Sequence, residues 1–404
     1  MMRKLLFFLL FINVFSLTAQ DHCASDKENL REQHSDSEFD EGIQLLNALS
    51  AEFEFDQSSA SVRDGFKEVT IPVVVHVLYR EEENNISYEQ IQSQIDVLNR
   101  DFNAENGDLD KIPEVFRALA TSAQIRFRLA DKDQYGNFTK GVTRTLTTVE
   151  NIGTENLYHQ STRGGRDPWP QVHYMNVWVC ELEGNTLGFA ILPGSKMSER
   201  DGIVMSPRAF GTLGTAKEPY NLGRTFVHEV GHYLGLRHLW GSDDESCSST
   251  DYISDTPTQL KENFGCKPFP TYSCLGQPNG DMFMNYMDYG NDSCMYLFTQ
   301  RQVDLMHLVM KTNRSALFHS EGFTGIVAER NLSELKIYPN PSEGIFHVEF
   351  GEQTPSKIEL VNMLGDVVYS YSPTSKIELI NVPELPPGIY SLITPSQINQ
   401  IVIR

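Results

Sequence analysis

The sequence is short of positive charge. Against 54 Asp and Glu it sets only 33 Lys and Arg, a formal net charge of −21. So acidic a chain excludes nucleic acid and anionic membrane as main partners, because both require a field of the opposite sign. It suits a soluble exported protein, and it makes cation binding plausible. Long apolar runs are also scarce. One stands at the start, Leu5 to Leu17, behind Arg3 and Lys4 and ahead of Thr18-Ala19-Gln20. It is too short to span a bilayer and reads as a signal peptide, residues 1–20, cut near Ala19 or Gln20, so no stable transmembrane anchor is expected. Cysteines number six, and four of them, Cys247, Cys266, Cys274 and Cys294, crowd into one stretch. In an exported chain these read as disulfides, with three pairings open. A four-thiolate zinc site is the competing reading, but the spacings lack the close pairs such sites show. Cys180 closes a strand pattern and reads as a buried free thiol. At 404 residues and 40% hydrophobic content, there is room for two or three packed domains.

The chemistry concentrates in His228-Glu229-Val230-Gly231-His232-Tyr233-Leu234-Gly235-Leu236-Arg237-His238. On a helix, His228 and His232 share one face, while Leu222, Phe226, Val227, Val230 and Leu234 form the other. Gly235 supplies the left-handed residue that ends the helix and lets His238 swing in as a third ligand. Three imidazoles on Zn²⁺ leave a fourth position open for water, the mark of a catalytic site. Glu229, beside that water, is placed to take its proton. Five matched positions arise by chance in a chain of this length at roughly 10⁻⁴ or less.

This stretch resembles the zinc motif of the metzincin metalloproteases, HExxHxxGxxH followed by a methionine-bearing turn, and within them the pappalysin family, most closely its ulilysin-like members. The resemblance implies a metzincin fold of α+β class: a twisted five-stranded mixed sheet, an active-site helix and an irregular lower half. Met284-Asn285-Tyr286-Met287-Asp288-Tyr289 matches the methionine turn, with Met287 as a floor under the metal and Tyr289 as a donor to the oxyanion. The strand before the active-site helix becomes the upper rim of the cleft. Gly188 to Leu192 fits that role, and Ala190 would contact an extended substrate. Asp292 is implied at the base of the S1′ pocket, where a carboxylate favours Arg at P1′. The implied disulfides are Cys247 with Cys274 and Cys266 with Cys294. Asp251 and Asp255 offer hard oxygen ligands for Ca²⁺ in a loop where relatives bind it, the alternative being a solvated acidic loop. Cys23 matches a cysteine switch whose thiolate occupies the open zinc position. Asp21 is an alternative ligand, and a stray cysteine or a disulfide with Cys180 is a third reading.

The remaining pattern divides the chain. Residues 21–66 are polar and acidic, with one short helical pattern around Ile43, Leu45, Leu46 and Leu49, and read as a prosegment without a core of its own. Arg63 and Lys67 are the basic residues nearest the expected start of the protease domain, which spans 67–321. That domain opens with the β-branched run Val69 to Leu78, whose His76 reads as a core histidine. A helix follows, with Ser87 as N-cap, Gln90 completing a capping box, and Ile91, Ile95, Leu98 and Phe102 as its buried stripe. Strands are expected at Ile125–Leu129, Val142–Thr147, Val172–Val179, Gly188–Leu192 and Gly202–Met205. Thr299 and Gln302 form a second capping box on a closing helix. After a linker at 322–334, residues 335–404 show short strands between turn signals, as in a small antiparallel β-sandwich. Their Tyr-Pro-Asn-Pro start and Gly-Ile-Tyr-Ser-Leu element resemble the type IX secretion sorting domain, the alternative being a carbohydrate- or protein-binding module. The reading is a secreted or cell-surface zinc endopeptidase acting on proteins and peptides and exported by the type IX machinery. A non-catalytic adhesion protein with a vestigial protease domain is the other class, and intact Glu229 and three intact ligands speak against it.

Overall fold

A computed structural model describes residues 23–35, 37–55, 68–194, 199–241, 246–318, 335–350, 354–355, 357–362, 367–394 and 398–404. The expected signal peptide, the expected linker, Asp21, Arg63 and Lys67 lie outside these residues.

The protease domain is built on β1, Val69–Tyr79. Its eight consecutive residues Ile71 to Leu78 are buried, as a β-branched run covered on both faces requires. One edge of β1 carries two parallel strands end to end: β2, Ile125–Leu129, along its first half and β3, Val142–Leu146, along its second. The other edge pairs in parallel with β4, Met175–Val179, which leads to β6, Ile203–Met205, and finally to the antiparallel edge strand β5, Gly188–Ala190. The sheet therefore has six strands rather than five, because β2 and β3 share one side of the long central strand. β4 starts at Met175, not at Val172, since residues 171–173 form a turn.

Two helices precede β1: α1, Ser25–Ser35, and α2, Ser37–Phe55. Ile43, Leu46 and Leu49 of α2 join the core of the protease domain, so the segment buries its few apolar residues against a core it does not make itself. Helix α3, Tyr88–Phe102, buries the expected stripe Ile91, Ile95, Leu98 and Phe102. Its N-cap differs from the expected capping box. Ser87 does accept from Gln90 N (3.1 Å), but the Gln90 amide does not return the bond and instead reaches the loop at 207–215. After a single turn, α4, Glu114–Arg117, come α5, Arg224–Tyr233, and α6, Gln300–Lys311. The capping box of Thr299 with Gln302 is complete on α6. Leu222 falls before the start of α5 and is exposed, outside the apolar face expected for it.

Between α5 and α6 the chain is irregular and carries two disulfides, Cys247–Cys274 and Cys266–Cys294, the pairing implied by the resemblance. Each closes a loop of nearly thirty residues and stabilises by about 3–4 kcal/mol through the unfolded chain. Cys180 is buried and unpaired. His76 is a core histidine, held by Thr143 Oγ1 (2.8 Å) and Asn176 Oδ1 (3.0 Å).

The described residues of 335–404 form two antiparallel sheets, β10-β9-β12-β13 and β11-β8-β7. The strands are β7 Lys336–Tyr338, β8 Ile345–Glu349, β9 Ile358–Val361, β10 Val367–Tyr371, β11 Ile377–Asn381, β12 Gly388–Ile393 and β13 Ile398–Ile403. Phe346, Val348, Leu360, Ile380, Leu392 and Ile401 share one core, as in a sandwich. Among the described residues, no helix is long and apolar enough to cross a membrane.

Candidate active site and metal centre

Helix α5 lies against β5 and β6, and its inner face carries the site. Gly235 takes φ +92°, the helix ends, and Leu236 N closes onto Gly231 O (3.0 Å). A Cβ at Gly235 would sit 2.7 Å from Val309 Cγ2, so both backbone and packing require glycine there. The turn brings His238 to the other two histidines. His228 Nδ1 lies 2.7 Å from Tyr286 O, and His232 Nδ1 lies 2.9 Å from Leu236 O. A carbonyl only accepts, so Nδ1 carries the proton in both rings and Nε2 keeps its lone pair. His232 Nε2 nevertheless stands 3.0 Å from both His228 Nε2 and His238 Nε2. Lone pairs crowded this closely repel unless a cation lies among them, so the donor set fits a metal ion bound by imidazole. Cys23 Sγ completes the group, all four ligand atoms lying within 4.8 Å of one another. Among the described residues this is the one such cluster of His, Cys, Asp or Glu.

Glu229 is fully buried. Its Oε2 accepts from Ser25 Oγ (2.9 Å), while Oε1 has no partner. Burial pushes the carboxyl up to about 7, against the hydrogen bonds from Cys23 and Ser25. Burial, with Glu229 beside it, likewise raises the Cys23 thiol well above its ordinary range, so a thiolate here depends on a neighbouring cation. Tyr289 reaches the same point. Its hydroxyl donates to Cys23 O (3.2 Å), and its ring meets those of His238 and His228 at 5.0 and 5.7 Å. Met287 is buried against α5: a Cβ on Gly231 would stand 2.5 Å from its Sδ. The methionine turn also fixes His228 through the Tyr286 carbonyl.

Several residues at the site were not foreseen. α1 lies along the edge strand β5, with Cys23 opposite Gly188 in parallel register. Ala24 N donates to Gly188 O (3.0 Å), Ala190 N donates to Ser25 Oγ (2.8 Å), and Asn29 Nδ2 donates to Ala190 O (3.0 Å). The free edge that a substrate would need, Ala190 included, is thus taken by the chain itself. Asp26 Oδ2 accepts from His238 Nδ1 (2.8 Å), and Glu28 and Glu32 clasp buried Arg200. The available signal was polar rather than apolar: Ser25, Glu28, Asn29 and Glu32 repeat at helical spacing.

Asp292 and the two loop carboxylates have other engagements. Asp292 is fully buried beneath the N-terminus of α5, accepting from Leu222 N (2.8 Å), Arg224 N (3.1 Å), Thr225 N (3.1 Å) and Thr225 Oγ1 (3.0 Å). It thereby satisfies orphan helix donors. A cavity of about 20 Å³ bordered by Cys23, His228, Glu229 and Tyr289 is lined further by Leu187, Tyr220 and Thr225, and Thr225 links it to Asp292. Asp251 accepts from Ile253 N and Thr256 Oγ1, and Asp255 accepts from Thr299 Oγ1 and Arg301 N at the start of α6. Neither belongs to a converging ligand group among the described residues.

Comparison with known proteins decides what the site belongs to. Residues 160–311 match the peptidase family described as pregnancy-associated plasma protein-A, the pappalysins. An extracellular metalloprotease of Trichophyton verrucosum is 30% identical over 271 residues, covering 65% of this chain and 83% of that protein. The chain belongs to the pappalysin family. Mature mirolysin of Tannerella forsythia in complex with a cleaved peptide is 45% identical over 63% of this chain and 97% of its own, with a TM-score of 0.61. A mutant of the promirolysin of that organism is 40% identical over 74% of this chain and 97% of its own, with a TM-score of 0.66. Residues 336–404 match a secretion system C-terminal sorting domain. This pappalysin is therefore a secreted metalloendopeptidase, made as a zymogen and exported by the type IX route.

Proposed function

We propose that the catalytic metal is zinc, held by His228, His232 and His238, and that Cys23 supplies the fourth ligand in the zymogen. The observation carrying this reading is the convergence of three Nε2 atoms and one Sγ within 4.8 Å. Three nitrogens and a sulfur in a closed cluster suit Zn²⁺ over the oxygen-seeking divalent ions. Zinc bound there supplies a Lewis acid for the scissile carbonyl.

The chain's own groups do the rest. While α1 is in place, Ser25 occupies Glu229 and the carbonyl of Cys23 occupies the Tyr289 hydroxyl, so acid–base group and oxyanion donor are silenced together. Removal of 21–66 frees both. Glu229 Oε2 then takes a proton from the attacking water and passes it to the leaving amine, and Tyr289 donates to the oxyanion. The edge of β5 becomes available to an extended substrate running antiparallel to it, fixed by Gly188 O, Ala190 N and Ala190 O. That course is opposite to the one Cys23 and α1 take, which guards the prosegment against cleavage.

The P1′ side chain enters the cavity lined by Leu187, Tyr220 and Thr225, and we assign it as arginine. Asp292 is one hydrogen bond beyond Thr225, and its buried negative charge attracts a guanidinium through that wall. Glu229→Ala should keep one zinc per chain while casein cleavage falls at least a thousandfold. A peptide library cut by the activated enzyme should show Arg at P1′. A profile dominated by apolar P1′ residues would remove the Asp292 assignment, and casein cleavage by Glu229→Ala at the original rate would remove the mechanism.

A further inference from the structure

A second cavity, of about 570 Å³, opens beside the first and has no part in the chemistry above. The two share walls. Leu187 lines the smaller cavity, and its carbonyl accepts from Ser206 N (2.8 Å), which lines the larger. Tyr220 of the smaller cavity donates its N–H to the carbonyl of Lys217 (2.9 Å), on the lip of the larger. A substrate antiparallel to β5 passes Gly188 and then tracks back past residues 187–184. At about 3.3 Å per residue, the second or third residue after the scissile bond arrives at the larger cavity.

The floor of this cavity is built rather than incidental. Gln90, buried on α3, donates through Nε2 to Pro207 O (3.3 Å), Phe210 O (2.8 Å) and Thr215 Oγ1 (2.9 Å), and its Oε1 accepts from Thr215 N (3.1 Å). This is the side chain that leaves the α3 capping box half-made. Gly214, at φ +64°, packs so closely on Gln90 Oε1 that a Cβ would collide with it. Arg208 sits on the loop so held. Its Nη2 donates to Gly184 O (3.1 Å) and Thr186 O (3.3 Å), the backbone leading into the rim strand. Its Nε is buried without a partner, and no carboxylate of the described residues pairs with it. Arg80, which also lines the cavity, is already satisfied by Glu181 (3.0 Å), and Glu83 and Glu150 line it as well.

We propose that this cavity is a specificity subsite for an acidic side chain two or three residues C-terminal to the scissile bond, received by Arg208 with Lys217 at the lip. A carboxylate supplies what the guanidinium lacks, a charge-assisted acceptor in a partly desolvated setting. Glu83 and Glu150, which also line the cavity, repel an extended polyanion, so the fit is to one acidic side chain within a peptide. The subsite rests on the antiparallel substrate course proposed above but not on the identity of P1′.

The test takes a peptide that the activated enzyme cuts at a single bond and places Glu, Gln or Lys in turn at the second, third and fourth positions after that bond, and at P2 as a control. Expected is a kcat/KM about tenfold higher for Glu than for Gln at the second or third position, the scale of one hydrogen bond to a charged group. At P2 the ratio should be near one. Arg208→Gln should bring the Glu-to-Gln ratio close to one, and Arg208→Lys should restore part of it. Should Arg208→Gln fail to fold, Lys217→Gln, exposed and outside the packed floor, should lower the ratio two- to threefold with unchanged thermal unfolding. Equal rates for Glu and Gln at every position, or a preference that survives Arg208→Gln in a folded protein, overturn the proposal. Because P1′ is constant throughout the series, the ratio is independent of the arginine assignment. A preference found at P2 alone would overturn both the subsite and the antiparallel course.

Discussion

Gly235→Ala tests how the third histidine is delivered. Gly235 sits at φ +92°, where an L-residue costs about 1–2 kcal/mol. The added methyl would stand 2.7 Å from Val309 Cγ2 on α6, and forcing it in costs about 1–3 kcal/mol more. The sum, about 2–5 kcal/mol, falls on the turn that carries His238 from the end of α5 to the other two imidazoles. The catalytic domain should therefore lose roughly 4–20 °C of thermal stability, at about 2–4 °C per kcal/mol. Zinc affinity, read by competition with a chromogenic chelator, should fall at least a hundredfold, because the third ligand is displaced. Val309→Ala in the same chain should return the packing part but not the backbone part, giving a coupling of about 1–3 kcal/mol in a double-mutant cycle. A Gly235→Ala protein with zinc affinity and melting point indistinguishable from the parent would refute this account of the turn.

Cys23→Ser removes the thiolate but leaves the grip of Ser25, Asn29 and Asp26. Full-length chain should then convert to the mature form at least tenfold faster on a time-course gel, and conversion at the parental rate would assign latency to α1 alone. Burial holds His76 down to about 4, so the folded chain refuses a proton that the unfolded chain takes at about 6.5. Stability from this group is complete above pH 6.5 and is lost as pH falls toward 4, in all about 3 kcal/mol. In urea unfolding, His76→Gln should lose less stability than the parent between pH 7 and pH 4.5, and parallel losses would contradict it.

The zinc motif, the methionine turn, the buried run of β1 and the Thr299 box were legible because each rests on local spacing that the fold leaves intact. The β5 edge was legible as position but not as occupancy. Helix α1 escaped notice because it docks through hydrogen bonds and ion pairs. Ser25, Glu28, Asn29 and Glu32 are buried polar residues, and hydrophobic periodicity is blind to them. Gln90 fits a capping box by spacing, yet a distant loop offers its amide four hydrogen bonds, and long-range demand overrides the local motif. Asp292 shows the same limit, since its charge was readable but the four N–H and O–H donors that surround it come from residues 222–225. β13 was not among the expected strands, because it is fixed as a strand by pairing with β12.

X-ray absorption at the zinc edge of the full-length zymogen tests the central claim most directly. The account predicts one sulfur at about 2.3 Å and three imidazole nitrogens at about 2.0–2.1 Å, with the sulfur lost in Cys23→Ser and in the activated enzyme. A zymogen spectrum with nitrogen and oxygen ligands only would contradict it.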